Sequence, residues 1–204
     1  MPNIQVVDYE KIPGYAKNMR GQAERLNKEI TEAYASVNEM RKAWYGKRYN
    51  DLVRQFNGMI PELNEMLTLV VTNIPATLEA VANNYAKVDT GKAVTTQVRE
   101  PAKKISEVGL SNEEGLHFQT TEVTAKEKSI SKNFNNAKEL MNQIESTYKQ
   151  ITWKSEAADA FKARFTKLKT NIVKAFDETE KQFKKLMDAA LEDMKKAEGA
   201  NTVK

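Results

Sequence analysis

The chain has 204 residues, of which 40% are hydrophobic and 29% charged, and its formal net charge is +4. This length and composition exclude a disordered protein, because such a chain can bury a core. The absence of Cys excludes disulfides and thiolate metal sites, while the low counts of Gly (8) and Pro (5) favour long helices.

The N-terminal segment predicts an irregular arm. Its apolar residues follow no sustained period, and Pro13 with Gly14 is expected to end any element there. No basic stretch precedes an apolar one, so we expect no secretory signal peptide. No uninterrupted apolar run approaches the roughly 20 residues that span a bilayer. We therefore expect the chain to be made as a soluble protein in the cytoplasm.

Two long helical patterns follow, joined by a tight turn at residues 44–46. Apolar residues spaced by three and four predict a first helix over residues 15–43 and a second over about 40 residues that ends near Val88. Between them, Trp44-Tyr45-Gly46 interrupts the period, and Gly46 can adopt a positive φ without steric cost. Pro61 and Pro75 predict kinks or short breaks in the second helix.

Residues 91–124 predict a linker. Gly91, Pro101, Gly109 and Gly115 interrupt the pattern, and only residues 98–108 could form a short helix. Fully extended, such a linker spans over ~100 Å at ~3.3 Å per residue, so we expect it not to restrict how the flanking units meet.

The second helical unit repeats the plan of the first. Residues 125–151 carry another three-four apolar series, and Trp153-Lys154-Ser155 then occupies the place of the turn. Ser155 stands where Gly would be expected, but its side-chain oxygen can accept a hydrogen bond from the next helix as an N-cap. The last helix, which begins just after Ser155, continues without Pro or Gly as far as Gly199.

The two units predict an all-α fold. Aligning Trp44 with Trp153 brings eight further apolar pairs into register, which indicates an internal repeat. A single hairpin leaves much of its apolar stripe exposed to water, whereas two hairpins packed together bury both stripes. We therefore predict an antiparallel four-helix bundle within one monomer, an intramolecular pseudo-dimer, with residues 1–90 and 125–204 as the two hairpins. Two independently tethered hairpins are the alternative.

The first hairpin resembles a known family. A helix, a Trp-x-Gly turn and a second helix are followed by Tyr-x-x-x-Asp, here Tyr85-Ala86-Lys87-Val88-Asp89. This arrangement resembles the WXG family of early-secreted-antigen-like type VII secretion substrates of Gram-positive bacteria. The second hairpin resembles a diverged copy, with Ser155 for Gly and Met194-x-x-x-Glu198 for the Tyr-x-x-x-acid pair.

The resemblance implies a composite export signal, in which the turn of one hairpin lies beside the tail of the other. Carried over to this chain, Trp44 and Gly46 would neighbour Met194 and Glu198. Trp153 and Ser155 would neighbour Tyr85 and Asp89, and only this second pairing keeps the full Tyr-plus-acid tail. Alternatively, a Trp at a turn between helices closes the end of a core; the two roles are compatible.

The sequence therefore favours a non-catalytic protein, secreted without a cleavable signal peptide by a type VII system. Its one His, His117, lies in the linker, and no Ser-His-acid or Glu-x-x-His arrangement and no phosphate loop are visible, so we expect neither an enzyme nor a cofactor or metal. The expected partners are the secretion ATPase with its membrane machinery and, as an open alternative, a co-secreted protein.

Two alternative functions remain. One is a cytosolic adaptor or chaperone that escorts a type VII toxin, and the other is a membrane-active bundle whose Lys-rich helices lie on anionic lipid. The excess positive charge lies in the second half of the chain, but interspersed Asp and Glu favour a solvated helix face. We therefore expect no nucleic-acid partner.

Overall fold

Four long helices dominate the computed structural model, which describes residues 7–200. The first hairpin consists of α1 (Ile12–Met40) and a continuous helix made of α2 (Lys47–Leu67), a π-helical segment (Thr68–Asn73) and α3 (Ile74–Thr90). The second consists of α4 (Thr120–Lys149) and α5 (Glu156–Ala200). Two short strands, β1 (Trp44–Tyr45) and β2 (His117–Phe118), pair in antiparallel orientation.

The two hairpins pack against each other as an antiparallel bundle. Helix α1 packs mainly against α4, and α2 packs mainly against α5. Hydrogen bonds and an ion pair show that α1 and α4 run antiparallel, because residues early in α1 contact residues late in α4 and the reverse. The same holds for α2 and α5. The prediction of an all-α antiparallel bundle is confirmed.

The centre of the bundle contains one aromatic ring from each long helix. Phe134 of α4 stacks on Phe176 of α5 with ring centroids 4.0 Å apart, and on Phe56 of α2 at 5.7 Å. Tyr34 of α1 contacts Phe56 edge to face at 5.4 Å, and its hydroxyl donates to the Phe56 carbonyl. Burial raises the pKa of Tyr34 well above its usual range. The two hairpins thus share one core.

Proline affects the helices differently from the prediction. Pro13 lies in the first turn of α1, where its missing N–H needs no intrahelical partner, so α1 begins at Ile12 and not beyond Gly14. Pro61 lies inside α2, which continues through it, so of the kink or short break predicted there the break does not occur. Pro75 lies in the first turn of α3, directly after the π-helical segment Thr68–Asn73, which accommodates the local loss of regular hydrogen bonding.

The linker is not the unconstrained tether that the sequence predicted. No helix forms at 98–108. Residues 91–116, called the strap below, instead run along the first hairpin from the end of α3 back to the Trp44 turn, hydrogen-bonded to side chains of α1, α2 and α3. Helix α4 then begins at Thr120, five residues before the predicted boundary of 125. Because the strap runs along the hairpin, the start of α4 lies beside the Trp44 turn.

By length and composition alone, the continuous helix Lys47–Thr90 could cross a membrane, although no single apolar run in it is long. Of its most apolar window, 61% is buried inside the protein. Its apolar side chains are part of the shared core, including Leu52, Phe56, Leu63 and Val70. Its composition is thus that of a core helix.

Candidate recognition sites at the two ends of the bundle

The first turn is closed by a fully buried tryptophan. Trp44 is 0% exposed, and its ring packs edge to face on Phe118 at 5.2 Å and on Tyr49 at 6.2 Å. Phe183 of α5 stacks on it at 6.0 Å. Its indole nitrogen has no hydrogen-bond partner among residues 7–200. Trp44 therefore joins the turn, the strand before α4 and the last helix, and its ring is not available to a partner in the folded protein.

Gly46 is required at this turn for two physical reasons. Its φ of 102° lies in the region that side chains disfavour. A Cβ atom at this position would also lie 3.0 Å from the carbonyl oxygen of Gly115, at the end of the strap. Beside it, Tyr45 pairs with His117 across the two strands, and the two rings stack at 5.0 Å. The turn glycine thus permits both the reversal of the chain and the close approach of the strap.

The first turn lies beside the end of α5, as expected for an antiparallel pair of hairpins. Arg48, two residues after Gly46, forms an ion pair with Asp193 at 3.2 Å. The next residue, Met194, is half-buried against the core, while Glu198 is exposed one turn further on. Gly46 and Met194 thus lie at the same end of the bundle, but the tryptophan of this end, Trp44, is fully buried.

The second turn has a different environment. Trp153 is half-buried and contacts the core from its edge. Ser155 acts as the N-cap of α5, because its Oγ accepts a hydrogen bond of 3.1 Å from the amide of Ala158. The Tyr148 hydroxyl donates to the Ala158 carbonyl, and burial raises the pKa of Tyr148 to about 12. Capping therefore replaces glycine here, and the tryptophan stays accessible.

The end of α3 presents an exposed face. Tyr85 is 39% exposed, Val88 is 90% exposed and Asp89 is exposed as well. Tyr85 precedes the other two by three and four residues, so all three lie on one side of the helix. Gly91 ends the helix in the left-handed conformation, with φ of 74° and a hydrogen bond from its amide to the carbonyl of Lys87.

The N-terminal arm connects this face with the second turn. The Tyr9 hydroxyl donates to the Asp89 carboxylate, and this hydrogen bond raises the pKa of Tyr9. One residue earlier, the amide of Asp8 donates to Thr152 Oγ1 at 3.5 Å, directly before Trp153. Asp8 and Tyr9 thus tie the second turn to the Tyr85–Asp89 tail, so the second predicted group of site residues lies at one end of the bundle.

The one histidine of the chain lies at the first turn. His117 stacks on Tyr45 in the short strand pair, and the described residues contain no group of three or more His, Asp or Glu side chains placed to hold a metal ion. The end with the second turn has an exposed row of an aromatic, an aliphatic and an acidic side chain, Tyr85, Val88 and Asp89. The end with the first turn has buried aromatic side chains around Trp44.

The sequence reasoning missed two features that the structure shows. The arm residues Asp8 and Tyr9 are one, and no local pattern could have found them. The other is a row of asparagines, Asn50, Asn57 and Asn64, whose side chains hold the strap. Their spacing of seven residues places them on one helix face, and this regularity was a visible signal.

Comparison with known proteins identifies the first hairpin. Residues 6–90 match the family model WXG100, described as proteins of 100 residues with WXG. No curated protein and no solved structure matches the chain significantly. WXG100 proteins are helical proteins that work with type VII secretion machinery, leave the cell without a cleavable signal peptide and are not typically enzymes. The match covers less than half of the chain: it is the first hairpin, with its Trp-x-Gly turn and its Tyr-x-x-x-Asp tail, that resembles the WXG100 family.

Proposed function

We propose that this protein is a substrate of a Gram-positive type VII secretion system that leaves the cell as a folded four-helix bundle. The observation that carries the proposal is the match of residues 6–90 to the WXG100 family, on a chain that packs as two antiparallel hairpins. The second hairpin occupies the place that a separate partner hairpin would take. The protein therefore acts as a monomer whose pairing is internal, and it has no catalytic role.

The export signal is assigned to the end of the bundle that carries Trp153, Ser155, Tyr85 and Asp89. Two observations support this choice over the end that carries Trp44, Gly46, Met194 and Glu198. The Trp44 ring is fully buried, whereas Trp153 is half-buried. Val88 lies beside Asp89 with 90% of its surface exposed, and an exposed apolar residue in a row with an aromatic ring and an acid offers a partner a small amphipathic contact.

The experiment that tests secretion is an immunoblot of culture medium from the native host, with and without the membrane ATPase of its type VII system. A cytosolic marker controls for lysis. We expect the protein in the medium only when the ATPase is present. Retention in the cytosol in both strains would contradict the proposal and favour the adaptor that escorts a toxin.

The signal is tested in the same assay with Asp89→Asn, which removes the charge but keeps the shape of the side chain. We expect export to fall at least tenfold while the melting temperature changes by less than about 2 °C. Asp177→Asn is the matched control, because Asp177 is an exposed, paired acid in the middle of α5. Tyr9→Phe removes the hydrogen bond to Asp89 but keeps the carboxylate, and we expect this variant to be exported normally. Normal export of Asp89→Asn would remove Asp89 from the signal.

A further inference from the structure

The last part of the strap, residues 112–116, is held differently from the rest. Asn57 bonds both backbone groups of Val108, and Asn50 bonds both backbone groups of Ser111. Beyond Ser111, no hydrogen bond joins residues 112–116 to either hairpin within the described range 7–200; the amide of Glu113 donates only to the nearby Ser111 Oγ, at 3.2 Å. Residues 112–116, called the connecting loop below, therefore lie free of the hairpins between two fixed points.

The connecting loop has the exposure and the conformation of a protease-sensitive segment. Asn112, Glu113, Glu114 and Gly115 are exposed, and none of them belongs to a helix or a strand. Endopeptidases bind extended peptides, and they cut folded proteins mostly at exposed loops with small or polar residues. Glutamates within the helices have their backbone groups in helical hydrogen bonds, so they become extended only after local unfolding. The connecting loop thus needs less rearrangement to enter a protease cleft.

Both ends of the connecting loop are tied to the first hairpin. On one side, Ser111 is buried and bonded to Asn50 at 2.8 and 3.1 Å. On the other side, His117 pairs with Tyr45 in the short strand pair. A cut between these two points frees only a few residues on each side and breaks none of these contacts. The rest of the strap and the start of α4 would keep their places.

The contacts between the two hairpins do not involve the connecting loop. Helix α1 packs mainly against α4, and α2 packs mainly against α5. Phe134 stacks on Phe56 at 5.7 Å, and Phe183 stacks on Trp44 at 6.0 Å, so aromatic pairs cross the boundary at two levels of the bundle. These contacts can hold two separate chains together, although their pairing then depends on concentration.

We propose that the connecting loop is a cleavage site for endopeptidases that cut after glutamate, and that cleavage converts the single chain into a complex of two hairpins with the bundle intact. Water hydrolyses the peptide bond after Glu113 or Glu114, which leaves a new carboxylate on the first hairpin and a new amino group on the second. The two adjacent glutamates supply the side chain that such an enzyme recognises. The site is independent of the proposed secretion, because it depends only on the folded chain.

The test is limited proteolysis of the full chain with a glutamate-specific endopeptidase, followed over time by intact-mass measurement. We expect cleavage after Glu113 or Glu114 to be at least tenfold faster than cleavage after Glu107. Glu107 is the matched comparison, because it is equally exposed but lies between Ile105 and Val108, whose backbones are bonded to asparagine side chains. Equal rates would overturn the site, since exposure alone would then decide where the strap is cut.

Variants separate the sequence of the site from its conformation. The combined change Glu113→Gln and Glu114→Gln should abolish cleavage of the connecting loop by the glutamate-specific enzyme, whereas Glu107→Gln should leave it unchanged. A protease of broad specificity should still cut the strap of the double variant first within residues 112–116, because the conformation there is unaltered. A first cut elsewhere in the strap would show that the connecting loop is not its most accessible part, and would overturn the proposal.

The cleaved wild-type protein tests the two-chain complex. We expect the two fragments to elute together in size-exclusion chromatography and the circular dichroism spectrum to stay unchanged. The melting temperature of the cleaved protein should rise with protein concentration, whereas that of the uncut chain should not. Fragments that separate at micromolar concentration, or a loss of helical signal on cleavage, would overturn the complex.

Discussion

Trp44 and Trp153 occupy equivalent places in the sequence but differ in burial. The first is surrounded by Tyr49, Phe118 and Phe183, whereas the second contacts the core from its edge. The sequence left two roles open for both, closing the end of the core or taking part in recognition. It could not distinguish them, because the strand that covers Trp44 comes from a segment more than 70 residues away.

We expect Trp44→Ala to lower the free energy of unfolding by roughly 3 to 5 kcal/mol, since it leaves a large cavity at the junction of the two hairpins. Trp153→Ala should cost roughly half of that or less, because its ring already contacts solvent. Chemical denaturation monitored by circular dichroism measures both values. Equal losses would mean that Trp153 is as well packed as Trp44.

Glu79 is a second residue whose role depends on its burial. Its carboxylate pairs with Arg20 in α1, and both side chains are nearly buried, at 5% and 11% exposure. The same two residues hold the strap, because Glu79 accepts from the amide of Val98 at 2.8 Å and Arg20 donates to its carbonyl at 2.7 Å. This pair raises the pKa of Arg20, so the guanidinium remains charged.

We expect Glu79→Ala to cost roughly 3 to 5 kcal/mol of stability, because Arg20 is then left as a buried charge without compensation. Glu65→Ala is the control: Glu65 pairs with Arg164 at 2.9 Å with both side chains about half exposed, so its loss should cost under about 1 kcal/mol. Urea titration of the two variants measures the difference. A small loss for Glu79→Ala would show that water reaches Arg20.

At the scale of elements, the π-helical segment sets the register between α2 and α3. Asn50, Asn57 and Asn64 lie seven residues apart, and the next contacts with the strap, through Thr72 and Glu79, are displaced by one residue. A π-helical turn contains one residue more than an α-helical turn, so it keeps one continuous helix face directed toward the strap. Pro75 at the following turn predicted an irregularity there, but not its type.

Helices α4 and α5 are joined on their outer face by Glu145. Lys149 donates to its carboxylate at 2.7 Å and Lys169 pairs with it from α5. These hydrogen bonds lower the pKa of Glu145 from 4.5 to about 2. Because the folded form has the lower pKa, the stabilisation is fully present above pH 4.5 and is lost as the pH falls toward 2.

We therefore expect the melting temperature of Glu145→Gln to be lower than that of the wild type at pH 7, and the difference to shrink between pH 4.5 and pH 2. Glu178→Gln is the control, because its pair with Lys174 is 3.8 Å long and exposed, and it should have little effect at either pH. Calorimetry at pH 7, 4 and 2.5 measures the trend. A difference that stays constant with pH would contradict a stabilising role for the ionised Glu145 carboxylate.

At the scale of the whole molecule, the central aromatic cluster joins the two hairpins in one core, so we expect them to unfold as one cooperative unit. The chain has only two tryptophans, one at each end of the bundle. Single-tryptophan variants therefore report on each end separately: Trp44→Phe leaves Trp153 as the probe, and Trp153→Phe leaves Trp44. Each variant is followed by fluorescence and by circular dichroism.

We expect the fluorescence and circular dichroism transitions of each variant to coincide in urea, as for a two-state domain. Scattering by the native protein should show one compact rod. Transitions that separate, or a particle with two lobes, would instead indicate independent hairpins.

The sequence by itself determined the helices, the two turns and the internal pairing of the hairpins. These follow from local periodicity and from the need to bury two apolar stripes, as the series through α1 and the Trp-x-Gly turn illustrate. Only the tertiary structure decided the path of the strap, the sealing of Trp44 and the link from Tyr9 to Asp89. Each of these depends on hydrogen bonds or packing between residues distant in the chain. The spacing of Asn50, Asn57 and Asn64 marks a polar helix face, but no local pattern identifies the segment that this face binds.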